Sequence, residues 1–174
     1  LIGPAVGLQT ADGSLLFWLV EGQALIVSHD YGATWAATSK AKVESECSVA
    51  FATADPRSNG TLIMNCRTDT HNRLQLYWKP DGKGSYTATE PTYPAGLSDA
   101  GCQGSVIGSN GALFTSNAAS TSARARMSVH RSDDAGGSWS APLVLHEGPS
   151  AYSQLVGLAG GANGHRLGVL FEAG

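Results

Sequence analysis

Two eight-residue stretches of this chain follow one pattern. Ser28-His29-Asp30-Tyr31-Gly32-Ala33-Thr34-Trp35 and Ser132-Asp133-Asp134-Ala135-Gly136-Gly137-Ser138-Trp139 both read S-x-D-x-G-x-[ST]-W. Each reads as a β-hairpin turn that carries its own reinforcement. The Asp accepts hydrogen bonds from backbone N–H groups within the turn, and Ser and Thr hydroxyls add weaker bonds of that kind. The Gly supplies a φ > 0 position that a β-carbon would disfavour. The Trp packs its apolar face against the sheet and needs a partner for its indole N–H.

A degenerate copy lies between them, Lys79 to Tyr86, which keeps Asp81, Ser85 and the aromatic Tyr86 but loses the first Ser and the aligned Gly. The three Asp positions are spaced by about 50 residues, the length of one four-stranded propeller blade with its connections. The chain therefore reads as all-β, a propeller with three to four blades, in one domain over residues 1–174 with no separating linker. Its 22 glycines and short apolar runs between turn signals agree with that class.

Strands are expected at Leu15–Val20, Ala24–Ser28, Ser48–Thr53, Thr61–Arg67 and Leu74–Trp78. Further strands are expected at Gly104–Ile107, Ala112–Thr115, Met127–Ser132, Leu143–Leu145, Ser153–Leu158 and Arg166–Glu172. Leu62, Met64 and Cys66 share one face of their strand, with Ile63, Asn65 and Arg67 on the other. Ser109-Asn110-Gly111 reads as a tight hairpin, and Ala118 to Ala125 as a surface loop.

A net charge of −3 with no basic stripe argues against nucleic acid or an anionic membrane as the main partner. The longest apolar run, Leu15 to Val20, is far short of the roughly 20 residues of a membrane helix. Leu1-Ile2-Gly3-Pro4 has neither an initiator Met nor the character of a signal peptide, so an excerpt or a processed product is expected. Cys47, Cys66 and Cys102 fit neither a disulfide framework nor a zinc site, and buried free thiols are expected. Asn59-Gly60-Thr61 matches the glycosylation acceptor pattern. His29, His71, His130, His146 and His165 are scattered without ligand spacing, three of them beside or within strands or repeated turns where surface roles suffice, and no metal is expected; no glycine loop precedes a helix, and no cofactor is expected.

Four stretches look odd for plain scaffold. Glu44-Ser45-Glu46-Cys47 puts two carboxylates before a buried strand, and Asn65-Cys66-Arg67 ends a strand with a cation. Arg124-Ala125-Arg126 precedes a strand, and Tyr152 follows a Gly-Pro turn. Each alone is ordinary, because strand-end Arg and Glu are usually solvated and a Tyr in a β protein usually packs. Their order is not ordinary. The repeated turns resemble the Asp box (BNR repeat) of β-propellers, best known from the sialidase (neuraminidase) family.

The run from Glu46 through an apolar strand to Asn65-Cys66-Arg67 resembles that family's stretch from a catalytic Glu to a substrate-binding Arg. Cys102-Gln103-Gly104-Ser105-Val106 is similar to a further family segment, in which Gln103 supports the site. Arg124 falls where the family places another substrate-binding Arg, Ala151-Tyr152-Ser153 resembles the segment of the catalytic Tyr, and Glu172 in the closing strand resembles a Glu that braces a site Arg. Gly7-Leu8-Gln9 also has a family counterpart. The resemblance covers essentially the whole chain and implies the C-terminal part of a six-bladed propeller.

The chemistry it implies suits these residue types. Sialic acid bears a carboxylate on the attacked carbon, so Arg forks hold it in a plane and an anionic nucleophile would be repelled. A neutral Tyr avoids the repulsion, and sialidases are known exceptions to the two-carboxylate pattern. About one Tyr in a thousand is ionised at pH 7, so a base is needed. The resemblance implies Tyr152 as nucleophile with Glu46, in preference to Glu44, as its base. Arg67 and Arg124, the latter in preference to Arg126, would clamp the carboxylate.

Retaining hydrolysis of terminal sialic acid from glycoproteins, glycolipids or oligosaccharides is the implied activity. The family's first Arg, in an Arg-Ile-Pro type motif, and its acid/base Asp have no match here, and Ala118 stands where the family has Pro. The chain alone is therefore expected not to turn over substrate. A non-catalytic propeller that binds sialylated glycans or proteins is the alternative. Secreted and lysosomal locations both remain open.

Overall fold

The computed structural model describes residues 4–52, 60–159 and 165–174. Every regular element among them is a β-strand, and the strands form three antiparallel sheets. The first holds β1 (Leu8–Gln9), β2 (Leu15–Leu19), β3 (Ala24–Ser28) and β4 (Ala36–Ala37) in chain order. The second holds β5 (Cys47–Phe51), β6 (Leu62–Cys66), β7 (Leu74–Pro80) and β8 (Tyr86–Ala88), again in order. The third contains β9 (Ser105–Ser109), β10 (Ala112–Ala118), β11 (Ala125–Ser132), β12 (Leu143–Ala159) and β13 (His165–Ala173), ordered β13-β12-β11-β10-β9.

The sequence reading places the longer strands within a few residues, with one merger, and misses the short β1, β4 and β8. Leu143–Leu145 and Ser153–Leu158 are not separate strands but parts of β12, which pairs with β11 as far as Pro149 and with β13 from Ser150 onward. Pro149 marks the changeover of partners, where a missing N–H is tolerated. The expected loop at Ala118–Ala125 is narrower, because Ala118 closes β10 and Ala125 opens β11. Asn110 and Gly111 take φ of 47° and 80°, the two positive values a tight hairpin turn needs. Asn59 lies outside the described residues, so the glycosylation pattern does too.

Strand β6 is buried along its whole length, because the second sheet is covered on both faces. Leu62, Met64 and Cys66 join Leu16, Trp18, Leu25 and Trp78 in a core against the first sheet. Ile63, one step along the pleat, joins Ala50, Val106 and Leu113 in a core against the third. Trp18 and Trp78 meet at a ring separation of 6.3 Å with tilted planes, a pairing worth about 0.5–1.5 kcal/mol beyond area burial.

The expectation of three free thiols is wrong for two of them. Cys47 and Cys66 are directly paired across β5 and β6 and form a disulfide, while Cys102 is free and buried. Wide sequence spacing hid this bond, since hairpin register and not spacing brings the two together. Replacing both by Ser is expected to cost about 3 kcal/mol of stability, read as a lower urea midpoint. A dithiol reductant should reproduce that loss in the unmodified chain.

The repeated turns have the same internal geometry. Asp30 Oδ1 accepts from Thr34 N at 2.8 Å and Oδ2 from the Thr34 hydroxyl at 2.7 Å. Asp134 makes the same bonds with Ser138, at 2.8 and 2.7 Å. Ser28 and Ser132 donate to these carboxylates at 2.8 Å and accept from Gly32 N and Gly136 N at 2.8 Å. In the degenerate copy Asp81 Oδ1 accepts from Lys83 N and Ser85 N at 2.7 and 2.9 Å.

The hydroxyl and N–H donors of Thr34 and Ser138 hold both Asp30 and Asp134 down at about 2. A lowered folded-state pKa stabilises the fold above the unfolded value and loses that contribution as pH falls through the folded one. The melting temperature should therefore drop between pH about 4 and about 2. The drop should be shallower in an Asp30→Asn/Asp134→Asn variant, and equal slopes would refute the assignment.

Candidate active site

Strand direction gathers the candidate residues at one end of the sheets. Glu46 precedes β5 and Arg67 follows β6, so the antiparallel pairing of Cys47 with Cys66 sets them side by side, with Arg67 N donating to Glu46 O at 3.0 Å. Gln103 lies just before β9, Arg124 just before β11, and Glu172 near the end of β13. Tyr152 stands within β12, between the ladder pairs Ser150–Ala173 and Ser153–Phe171, where the register shifts. That bulge aims Tyr152 out of the regular pleat. The turns at 79–86 and 132–139 close the far ends of β7 and β11, away from this cluster.

Tyr152 Oη donates to Glu46 Oε1 at 2.6 Å, and Arg67 Nη1 donates to Glu46 Oε2 at 2.8 Å. One carboxylate thus joins a phenol and a guanidinium. The Arg67 and Glu46 side chains keep 28% and 24% of their exposure, so this pair is shielded more than a surface ion pair; a charge-assisted bond of this kind contributes about 1.5–3 kcal/mol. Hydrogen bonding to Glu46, then partial burial, raises the Tyr152 phenol above its ordinary value, with Arg67 opposing. The same Glu46 bond raises the Arg67 guanidinium.

Arg124 is exposed; its guanidinium carbon lies 5.9 Å from the Tyr152 ring centre, and Nη2 donates to Gly101 O at 3.1 Å. Glu172 Oε2 accepts from Tyr152 N at 3.1 Å. Buried Gln103 accepts from Ser153 N at 3.1 Å and donates to Pro4 O and Gly104 O. Glu44 accepts from Gln23 Nε2 at 3.0 Å, and Arg126 pairs with Glu147 at 3.2 Å. Arg126 has φ of 61° at the register shift between Ala125 and Met127, a local bulge that separates it from Arg124.

Two open grooves flank the cluster. One of about 450 Å³ is lined by Glu46, Arg67, Glu44, Thr68 and Asp69. The other, about 410 Å³, is lined by Tyr152, Gln103, Phe171 and Glu172. Tyr152 and Glu46 meet between them, so a ligand with an anionic group and hydroxyls could reach the phenol from solvent.

His130 corrects the expectation of surface roles. It is buried, with Nδ1 at 2.9 Å from Ser140 O, and burial pushes its pKa down. Sequence reasoning also missed Arg73 and Asp99, both fully buried and placed behind the cluster. No local signal marks them, since Arg73 sits in a polar turn and Asp99 in an irregular stretch.

Residues 5–164 match the model of the BNR repeat-like domain family. No curated protein matches the chain. Among solved structures, NanB bound to optactamide is 21% identical with a TM-score of 0.78, over 98% of this chain and 27% of its own; NanB is a sialidase of Streptococcus pneumoniae. The intramolecular trans-sialidase from Ruminococcus gnavus, bound to oseltamivir carboxylate, is 20% identical with a TM-score of 0.71, over 98% of this chain and 39% of its own. The leech intramolecular trans-sialidase, complexed with 2,7-anhydro-Neu5Ac, is 19% identical with a TM-score of 0.71, over 98% and 28%. The chain thus spans about a quarter to two-fifths of the solved structures it matches. With the match along most of its length, the chain belongs to the BNR repeat-like domain family, and its fold is similar to that of these sialidases.

Proposed function

We propose that this chain is the C-terminal part of an exo-α-sialidase that releases terminal sialic acid with retention. The observation that carries this reading is the 2.6 Å bond from Tyr152 Oη to Glu46 Oε1, with Arg67 on the other carboxylate oxygen. The three sheets are blades of a propeller that is six-bladed when complete, and the 1–174 segment is a portion of that one domain. Val156, Leu158 and Leu170 support this, because their exposed apolar side chains suit a hairpin that packs on a further blade.

In the proposed reaction Arg67 and Arg124 hold the sugar carboxylate by charge-assisted bonds. Tyr152 Oη attacks the anomeric carbon while Glu46 takes its proton, so no free phenolate accumulates. The glycosidic bond breaks, and the leaving oxygen takes a proton from an acid supplied by another part of the protein. Water, giving a proton to the conjugate base of that acid, then attacks from the face the leaving group vacated and displaces Tyr152. Glu46 returns the proton to the phenol oxygen, and the two inversions leave the configuration retained. Gln103 and Glu172 hold the Tyr152 segment through Ser153 N and Tyr152 N.

The test is an assay of the complete protein on a fluorogenic α-sialoside, with proton NMR of the first sugar released. Turnover with the α-anomer appearing first supports the proposal. Binding of sialylated glycans without release would replace it with a lectin-like propeller.

A further inference from the structure

We propose that the buried Arg73–Asp99 pair is a positioning hub that fixes Arg67, Arg124 and Tyr152 relative to one another. This rests on the sialidase reading for its catalytic consequence, though its geometric part stands apart from it. Asp99 Oδ2 accepts from Thr68 N at 2.9 Å, immediately after Arg67. Its Oδ1 accepts from Cys102 N at 3.3 Å, and Arg73 Nη1 donates to Cys102 O at 2.7 Å. The two side chains therefore grip the 101–103 stretch at both backbone groups of Cys102. From that stretch Gly101 O receives Arg124 Nη2, and Gln103 receives Ser153 N, the neighbour of Tyr152.

Arg73 is also tied to the strand that delivers Arg67. Its Nε donates to Asn65 Oδ1 at 2.7 Å, and Asn65 lies on β6 two residues before Arg67. Arg73 N donates to Leu97 O and Asp99 N to His71 O, which locks the two carriers together through backbone as well. The hub thus reaches three sequence-distant segments, 65–68, 101–103 and 152–153, which no single hairpin spans.

The pair is poorly built as a stabiliser. Its direct contacts are long, 3.4 Å from Nη1 to each oxygen of Asp99, both side chains are fully buried, and Arg73 Nη2 has no hydrogen-bond partner among the described residues. Desolvation of two such charges commonly offsets their attraction, and apolar replacements of both are often tolerated. The short bonds go instead to backbone and amide groups that set the places of other residues. Gly104 leaves room for this, since a β-carbon there would meet Ser116 O at 2.5 Å and Arg73 Nη2 at 3.1 Å.

The experiment uses the complete protein, in two variants. Arg73→Met/Asp99→Leu removes both charges, and Arg73→Lys keeps the charge while giving up the simultaneous reach to Asn65, Asp99 and Cys102. Three readouts are taken: melting temperature, kcat and KM on the sialoside, and the Tyr152 phenol titration, obtained by ultraviolet difference against Tyr152→Phe.

A positioning hub predicts folded variants whose kcat/KM falls about ten- to a hundredfold and whose Tyr152 phenol titrates at lower pH than in the parent, as its bond to Glu46 loosens. Folded variants with unchanged turnover and an unchanged phenol would overturn it. Should the parent show no turnover at all, the sialidase reading fails, and the phenol titration still decides the hub. Should the double variant not fold, Arg73→Lys decides it alone by the same readouts.

Discussion

Replacing Tyr152 by Phe in the complete protein is expected to lower kcat on a fluorogenic sialoside by about 10²–10⁴-fold, with KM moving far less. The substitution deletes one oxygen, the atom that lies 2.6 Å from Glu46 Oε1. The ring remains, so the stacking of Arg124 at 5.9 Å persists. Glu46 remains placed by Arg67 at 2.8 Å. Binding groups stay and the attacking group goes, which is why the loss should appear in kcat.

Glu46→Gln should produce a loss of similar size, since an amide cannot take the phenol proton. The Tyr152→Phe/Glu46→Gln double variant should be little worse than either single one, because two groups that act as a unit are not additive. Turnover unchanged in Tyr152→Phe would remove Tyr152 from the mechanism. Additive losses would separate the two residues into independent roles.

Gly136→Ala is expected to destabilise the fold by about 2–5 kcal/mol, whereas Gly32→Ala should cost only about 1–3 kcal/mol. The two glycines hold the same position of the same turn, and both have φ of 94°. That shared backbone conformation penalises any β-carbon equally. The surroundings differ. A β-carbon on Gly136 would overlap the Cδ1 of fully buried Ile63 and meet Tyr77 Oη at 3.0 Å, while one on Gly32 finds its nearest neighbour at 3.7 Å.

The second turn is docked, with Gln75 Nε2 donating to Gly136 O at 2.9 Å, Tyr77 Oη to Ala135 O at 3.1 Å and Trp139 Nε1 to Gln75 Oε1 at 3.0 Å. In the first turn Trp35 is 41% exposed, leans on Phe17 and returns its indole N–H to Gly32 O. Urea unfolding of the two variants measures the difference. Equal losses would show that the backbone term alone governs both sites.

The turns were legible because their reinforcement is local. A side chain that bonds backbone two to four residues away leaves its signature in eight consecutive letters, so Asp30 and Asp134 could be read as accepting from N–H groups within their own turns before any fold was known. Strands of alternating or continuous apolar character were legible for the same reason, to within a few residues. The length of β12 was not, because Gly148 and Pro149 read as an end where the strand in fact exchanges one partner for another. Arg124 was preferred to Arg126 on spacing alone, and the bulge at Arg126 that divides them has no sequence mark.

By itself, then, the amino-acid order determined the all-β class and the repeated turns, since period and turn chemistry are properties of neighbouring residues, and its resemblance to the sialidase family implied the candidate set Glu46, Arg67, Gln103, Arg124, Tyr152 and Glu172. Tertiary structure alone decided what depends on pairing between distant segments. It bonded Cys47 to Cys66 through hairpin register, buried His130, seated one turn and left its twin exposed, and set Tyr152 against a Glu46 that lies more than a hundred residues earlier. It also placed Arg73 and Asp99 behind them. The physical reason is one of range: a local bond is written where it forms, while a contact between sheets depends on register, twist and packing that no short stretch carries.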